Sequence, residues 1–271
     1  MNLWRPKPRP HRGAAHPRDR KYLVLAVLSP VAILALWALA ASLHWVAPII
    51  LPSPQKVLAS LWRMVHSGYA DVPLSTHLGA SLRRVGLAFL AGAVLGTITG
   101  LVRARSAPAD ALLLVPSEVL RPIPPLGLVP IFILWFGIGE MSKVLLILLA
   151  VFLVMMVGSQ AGARSVSGDL VRAAQMMGAT PLRIFRHVIL PSALPQIMTS
   201  LHLAMSMALS ILVAAELLGG DRGLGFIVLD AANFFRTPDV FAGVLLIGLL
   251  GLAADRLIGL LSRWLVHWQG R

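Results

Sequence analysis

The sequence has no cysteine, which excludes disulfides, thiolate metal sites and cysteine nucleophiles. It is also poor in charge. Asp, Glu, Lys and Arg make up 13% of the residues, against roughly 25% in soluble domains. Acids are the scarcer kind, 11 against 24 Lys and Arg. No Gly-x-x-x-x-Gly-Lys-Ser/Thr run is present, so the chain has no P-loop with which to hold ATP itself. No serine sits in a Gly-x-Ser-x-Gly elbow. His77, His187 and His202 are too scattered for a metal-ligand spacing. No catalytic constellation is visible.

What the sequence has is apolar length. Hydrophobic residues are 57% of 271, and the mean hydropathy is +0.80. A soluble chain of this composition would expose large sticky patches; lipid as solvent removes that problem. A membrane-crossing helix needs about 20 mostly apolar residues. Six stretches qualify: Tyr22–Leu43, Val85–Val102, Ala107–Phe136 with a proline-rich interruption, Val144–Ala163, Ala193–Leu218 and Val240–Ser262. The first is longer than a signal-peptide core and is followed by further spans, so it reads as an anchor. The expected fold class is all-α, a polytopic membrane protein with six transmembrane helices.

Six spans put both termini on one side, and the distribution of basic residues says which. With the N-terminus cytoplasmic, the inside segments carry 15 Lys and Arg, the outside segments carry 7, and Arg121 and Arg256 lie within the third and sixth spans. The net charge of +13 is then a topology signal, and no nucleic-acid partner is expected. Arg83 and Arg84 fit poorly, because they start the second span on the outer side. Residues 1–21 form a basic, Pro- and His-rich tail without an apolar period, expected to be disordered at an anionic lipid surface. Residues 22–263 form one transmembrane domain, and residues 264–271 a cytoplasmic tail.

The longest inside connection, 164–191, is punctuated like structure. Ser167 or Asp169 can cap a helix over Leu170–Met177, and Gly178 suits the left-handed position that ends it. Thr180 can cap a second helix with Pro181 at its favoured first position. That helix runs to about Leu190, with Pro191 marking the start of span five. Leu170, Met177, Leu182 and Phe185 share these helices with Arg172, Arg183 and Arg186. Their apolar faces suit either a groove on a partner protein or the headgroup layer.

At these residues a family becomes recognisable. Ala173-Ala174-Gln175-Met176-Met177-Gly178, followed after nine residues by Val188-Ile189-Leu190-Pro191, resembles the EAA loop of ABC-importer permeases (Glu-Ala-Ala, three residues, Gly, nine residues, Ile-x-Leu-Pro). Arg172 stands where the pattern has Glu, and Val188 where it has Ile. Further motifs resemble the branch that carries aliphatic sulfonates, taurine, nitrate and bicarbonate. They include Leu51-Pro52-Ser53-Pro54, Ser81-Leu82-Arg83-Arg84, Arg121-Pro122-Ile123-Pro124, Trp135-Phe136-Gly137-Ile138-Gly139, Ala214-Ala215-Glu216 and Gly223-Leu224-Gly225.

The resemblance implies a type I ABC-importer permease fold and a transport subunit of a bacterial inner membrane, not an enzyme. It implies an ATPase-coupling loop at Arg172, Ala173, Ala174, Gly178, Ala179, Pro181, Leu190 and Pro191. The partners implied are a second copy of the chain, a cytoplasmic ATP-binding subunit that uses ATP and Mg, a periplasmic or surface substrate-binding protein, and membrane lipid. The transported solute is a small anion, an aliphatic sulfonate first, with nitrate, taurine or bicarbonate as alternatives. From another class, the rival is an intramembrane enzyme, which needs paired acids or a Ser/His set within the spans.

Within the membrane, Arg121, Pro122, Pro124, Pro125 and Pro130 interrupt the third span. Such a break is tolerated only where protein or a water-filled cavity covers it, so it borders either the pathway or a kink that only packs. Glu118 and Arg121, three apart, can pair on one helix face; they serve the dimer or gate, or Arg121 binds the anion. Glu216, after a long uncharged run, is either part of an outer gate or a solvated helix end.

Overall fold

A computed structural model of the chain describes residues 20–217, 219–266 and 268, and every described regular element is helical. The basic tail, residues 1–19, and most of the C-terminal tail lie outside the described residues. The chain divides into two units, Met1–Lys56 and Val57–Arg271.

In the first unit, helix α1 (Arg20–Ser42) is apolar around its whole circumference and carries Pro30 within it. The chain after it folds back: the Trp37 indole N–H donates to Pro52 O at 3.0 Å.

In the second unit, four elements among the described residues are long and apolar enough to cross a membrane, and a fifth if one bent pair is a single span; α1 is a further one in the first unit. Helix α2 (Pro54–Ser67) is amphipathic and too short to cross; it buries Val57, Ser60 and Met64. A tight turn with Gly68, Ala70 and Asp71 at positive φ leads on. Helix α3 (Leu74–Arg105) begins eleven residues before the expected Val85. The sequence reading started the span at the first residue after a charge. The structure starts it earlier because His77, Ser81 and Arg84 face protein and are buried.

Helices α3, α6 (Glu140–Arg164) and α9 (Leu190–Leu217) form the core. Gly92, Gly96 and Gly100 make a groove on α3 that admits α6. A Cβ at Gly96 would stand 2.6 Å from Phe152 O and 2.7 Å from Met155 Cβ. Small residues at this spacing let helix backbones approach in lipid, where no hydrophobic force drives helix association. Helix α11 (Thr237–Leu265) packs on α9 and on the short α10 (Leu224–Asn233).

The third span is broken. Helix α4 (Ala107–Leu120) and the Pro125–Phe136 segment are bent 88° apart. That segment is a 3-10 turn, Pro125–Leu128, leading into α5 (Val129–Phe136). Fourteen residues of α4 rise about 21 Å, so the break falls well inside a bilayer of about 30 Å. At its base α4 is fastened by Asp110, which accepts from Gln160 Nε2 (2.7 Å), Arg164 (2.7 Å) and the buried Arg103 (3.1 Å).

The loop between α6 and α9 holds α7 (Gly168–Met176) and α8 (Pro181–Ile184). One expectation is corrected: the second loop helix does not end at Leu190. It passes through a π-turn, Phe185–Ile189, straight into α9, giving one helical stretch from Pro181 to Leu217. Pro191 has no N–H to offer the ladder. The wider turn accommodates it, with Leu190 N–H reaching back five residues to Phe185 O.

Candidate functional site

Three polar regions stand out along the apolar bundle, and each is built from local sequence signals. The first is the 164–191 loop. Ser167 Oγ accepts from Asp169 N–H at 3.3 Å, so Ser167 is the cap of α7. Gly178 takes φ +76° with nothing near its missing Cβ. Backbone geometry alone requires the glycine there. Around it Met177 N–H donates to Ala173 O, Gly178 N–H to Gln175 O and Ala179 N–H to Ala174 O. Thr180 Oγ1 accepts from Arg183 N–H with Pro181 in the first turn.

Ala174 and Ile184 anchor the loop inward. Its tip presents Met176 and Met177, 84% and 81% exposed. Arg172 bonds Asp169 at 2.7 Å, one turn earlier on the same helix. The departure from Glu at 172 therefore carries its own counter-charge. Arg105, at the foot of α3, lies over the Phe185 ring at 5.0 Å and so ties the loop to the bundle.

The second region is a cavity of about 370 Å³ beside the break in the third span. Leu120, Arg121, Ile123 and Pro125 form one wall; α6 contributes Val154 and Gly158, and α9 contributes Gln196, Ser200 and Met207. Arg121, Gln196 and Ser200 supply the polar groups. Pro122 and Pro124 are exposed at the break and are not among the lining residues. Glu118 and Arg121 do pair, at 3.7 Å, and both remain half exposed. The Arg121 guanidinium therefore keeps donors free at the cavity wall.

The third region lies at the opposite end of the bundle and centres on Glu216, which is fully buried and is not a solvated helix end. Its carboxylate accepts from Ser81 Oγ (2.8 Å), Arg84 (2.6 Å) and Gly225 N–H (2.8 Å). Arg84 also donates to Glu140 and to Arg222 O, both at 2.8 Å. Ser81 Oγ accepts from Leu224 N–H, and His77 Nδ1 from Gly223 N–H. The latter leaves Nε2–H for Tyr69 O at 3.3 Å. Gly223, at φ +131°, and Gly225 both lie against the carboxylate, where a Cβ would collide with it.

This hub joins α3, α6, α9 and α10. The sequence alone separates its members: Arg84 is a topological misfit, His77 one of the scattered histidines, and Gly223 and Gly225 part of a motif with no assigned role. The available signal was complementarity, since α9 carries one stranded carboxylate, Glu216, and the outer part of α3 the stranded pair Arg83 and Arg84.

Nearby, Tyr69 OH donates to Asp230 at 2.7 Å with Arg236 over its ring. Burial first, then this bond, pushes the phenol above its ordinary range. Ser60 and Arg63 both bond Asp239, which holds α2 to the start of α11. Elsewhere His202 and Asp255 pair across α9 and α11 at 2.6 Å. Among the described residues no cluster of three or more His, Asp or Glu is arranged for a metal.

Comparison with known proteins agrees with this geometry. The chain is 38% identical to the taurine transport system permease protein TauC of Escherichia coli, over 92% of this chain and 91% of that one. It is 34% identical to the putative aliphatic sulfonates transport permease protein SsuC of Bacillus subtilis, over 93% and 90%. It is 30% identical to the nitrate import permease protein NrtB of Synechocystis sp., over 80% of each. Among solved structures, the inward-facing MetNI methionine ABC transporter matches with a TM-score of 0.54 at 17% identity, covering 78% of this chain and 96% of that one. An amino acid ABC transporter matches with 0.56 at 20%, covering 69% and 91%. Residues 92–267 match the model of the binding-protein-dependent transport system inner membrane component. The chain belongs to that family: it is the multi-pass permease subunit of an ABC importer, a transport component that works with an ATP-binding subunit and a substrate-binding protein.

Proposed function

We propose that this permease carries a small oxyanion inward, an aliphatic sulfonate or taurine first. The observation that carries this reading is the cavity at the broken span, where Arg121 stands beside Gln196 and Ser200 within otherwise apolar walls. A guanidinium with free donors matches the flat oxygen face of a sulfonate. The names of the relatives point the same way. Nitrate is the second reading, favoured by the nitrate permease relative; bicarbonate is a third outcome.

Two copies pair so that their broken spans face each other, because one chain walls the cavity on only some of its sides. Both termini lie in the cytoplasm, as the excess of Lys and Arg at that face requires. The 164–191 loop then meets the ATP-binding subunit, which holds ATP and Mg. Met176 and Met177 are flexible apolar contacts suited to a cleft on that partner. When ATP closes the ATPase pair, the two loops move, and α9 transmits the motion without a joint because α8, the π-turn and α9 are continuous. Apolar outer faces of the spans meet lipid.

The substrate reading is tested by offering radiolabelled ethanesulfonate, taurine, nitrate and bicarbonate to proteoliposomes that hold the assembled transporter and its binding protein. Saturable uptake of a sulfonate, outcompeting the others, is expected. Uptake of none of the four would overturn the anion reading.

A further inference from the structure

Lys143 lies in the first turns of α6 and is only 6% exposed. Among the described residues its ammonium has no hydrogen bond and no ion pair. A largely buried charge without a close partner is costly; Glu140, Glu216 and Asp221 attract it only from beyond ion-pair distance, and Arg84 opposes them. Arg83 and Arg84 both bond Glu140, and Arg84 also holds Glu216. Asp221 is paired with Arg222. Four cations, Arg83, Arg84, Lys143 and Arg222, thus stand against three carboxylates, Glu140, Glu216 and Asp221, and Lys143 is the cation without an ion pair.

Lys143 also lines a pocket, together with Phe132, Ile133, Ile138, Gly139 and Gly219. The backbone is cut back around it: a side chain at Gly220, which sits at φ +143°, would strike Nζ. The N-terminus of α6 at Gly139 has no side-chain cap, so its dipole adds to the positive potential.

We propose that Lys143 binds the anionic group of the transported solute, forming a second station at the end of the bundle opposite the 164–191 loop. The ligand class is a singly charged oxyanion group, sulfonate or nitrate, and this rests on the anion-import reading above. The free space in that pocket is about 10 Å³, enough for one water. The anion therefore reaches Lys143 only when the ends of α5 and α9 part. The wider cavity at Arg121 is the other station, and alternating access opens them in turn.

The test uses the complete reconstituted transporter with ethanesulfonate, taurine and nitrate as probes. Lys143→Met and Lys143→Gln are expected to lower uptake about 10- to 100-fold, the value of a charge-assisted hydrogen bond in a dry site. Lys143→Arg keeps the charge and is expected to stay within about 5-fold of wild type. All three should co-purify with the ATP-binding subunit and melt near the wild-type temperature. If Lys143→Met fails to insert, Lys143→Gln decides. Wild-type uptake in a neutral variant would overturn the proposal while leaving anion import intact, as would equal loss in all three with lowered melting, which marks a packing residue. Absence of uptake in the wild type would overturn the anion reading itself, and this proposal with it.

Discussion

At the scale of single residues, stability at the hub end rests on charges taken out of lipid and water together. Glu216 and Arg84 are each almost wholly buried. Removing Arg84 leaves the Glu216 carboxylate buried without a counter-charge, which costs about 3–5 kcal/mol; removing Glu216 leaves Arg84 paired with Glu140 but takes the acceptor from Ser81 and from Gly225 N–H. Glu216→Ala and Arg84→Met are each expected to lower the melting midpoint of the detergent-purified protein sharply. The double variant should recover part of the loss, and simple additivity would show that the two do not act as a pair.

Tyr69 gives a pH-dependent counterpart. Its folded-state pKa is raised, so its contribution is complete below its unfolded value, about 10. That contribution is lost as pH climbs from there toward the raised folded value. Tyr69→Phe should therefore flatten the alkaline fall in melting temperature; an unchanged slope above pH 10 would assign that fall to other groups. Neither cluster was legible in the sequence, because Arg84 and Glu216 are 132 positions apart and only the fold makes them neighbours. That Glu216 was a lone charge in one apolar helix and Arg84 lay beside Arg83 in another was visible; that they pair was not.

At the scale of elements, the 164–191 loop was the most legible part of the molecule. Its signals act over a few residues: a Ser cap, a glycine at positive φ, a Thr cap followed by Pro. The exception was Pro191, whose usual meaning as a helix boundary was overridden by the π-turn. Helices α2 and α10 were missed because 14 and 10 residues fall below the length that hydropathy detects. The break in the third span was visible from its prolines, but the 88° bend and the residues that α6 and α9 bring to it were not.

Gly178→Val tests the loop. With no neighbour near the missing Cβ, the change acts only through backbone strain, about 1–2 kcal/mol for a left-handed residue. Insertion and melting should be nearly unchanged, while ATP hydrolysis no longer responds to loaded binding protein. A fully coupled Gly178→Val would remove the loop from the coupling path.

At the scale of the whole molecule, structure and charge distribution describe one device with two unlike ends. One end carries the methionine-tipped loop, Arg105 and the Asp110 fastening at the foot of the broken span. The other carries the Glu216 hub and its platform of short helices. The cavity beside Arg121 lies between them. The sequence has no P-loop, and in the proposed coupling the work arrives through the loop end. The most direct measurement is ethanesulfonate uptake by proteoliposomes that contain the permease, with the ATP-binding subunit, the binding protein and MgATP each omitted in turn. The account predicts accumulation only when all are present. Equal uptake without the ATP-binding subunit or without ATP would contradict it.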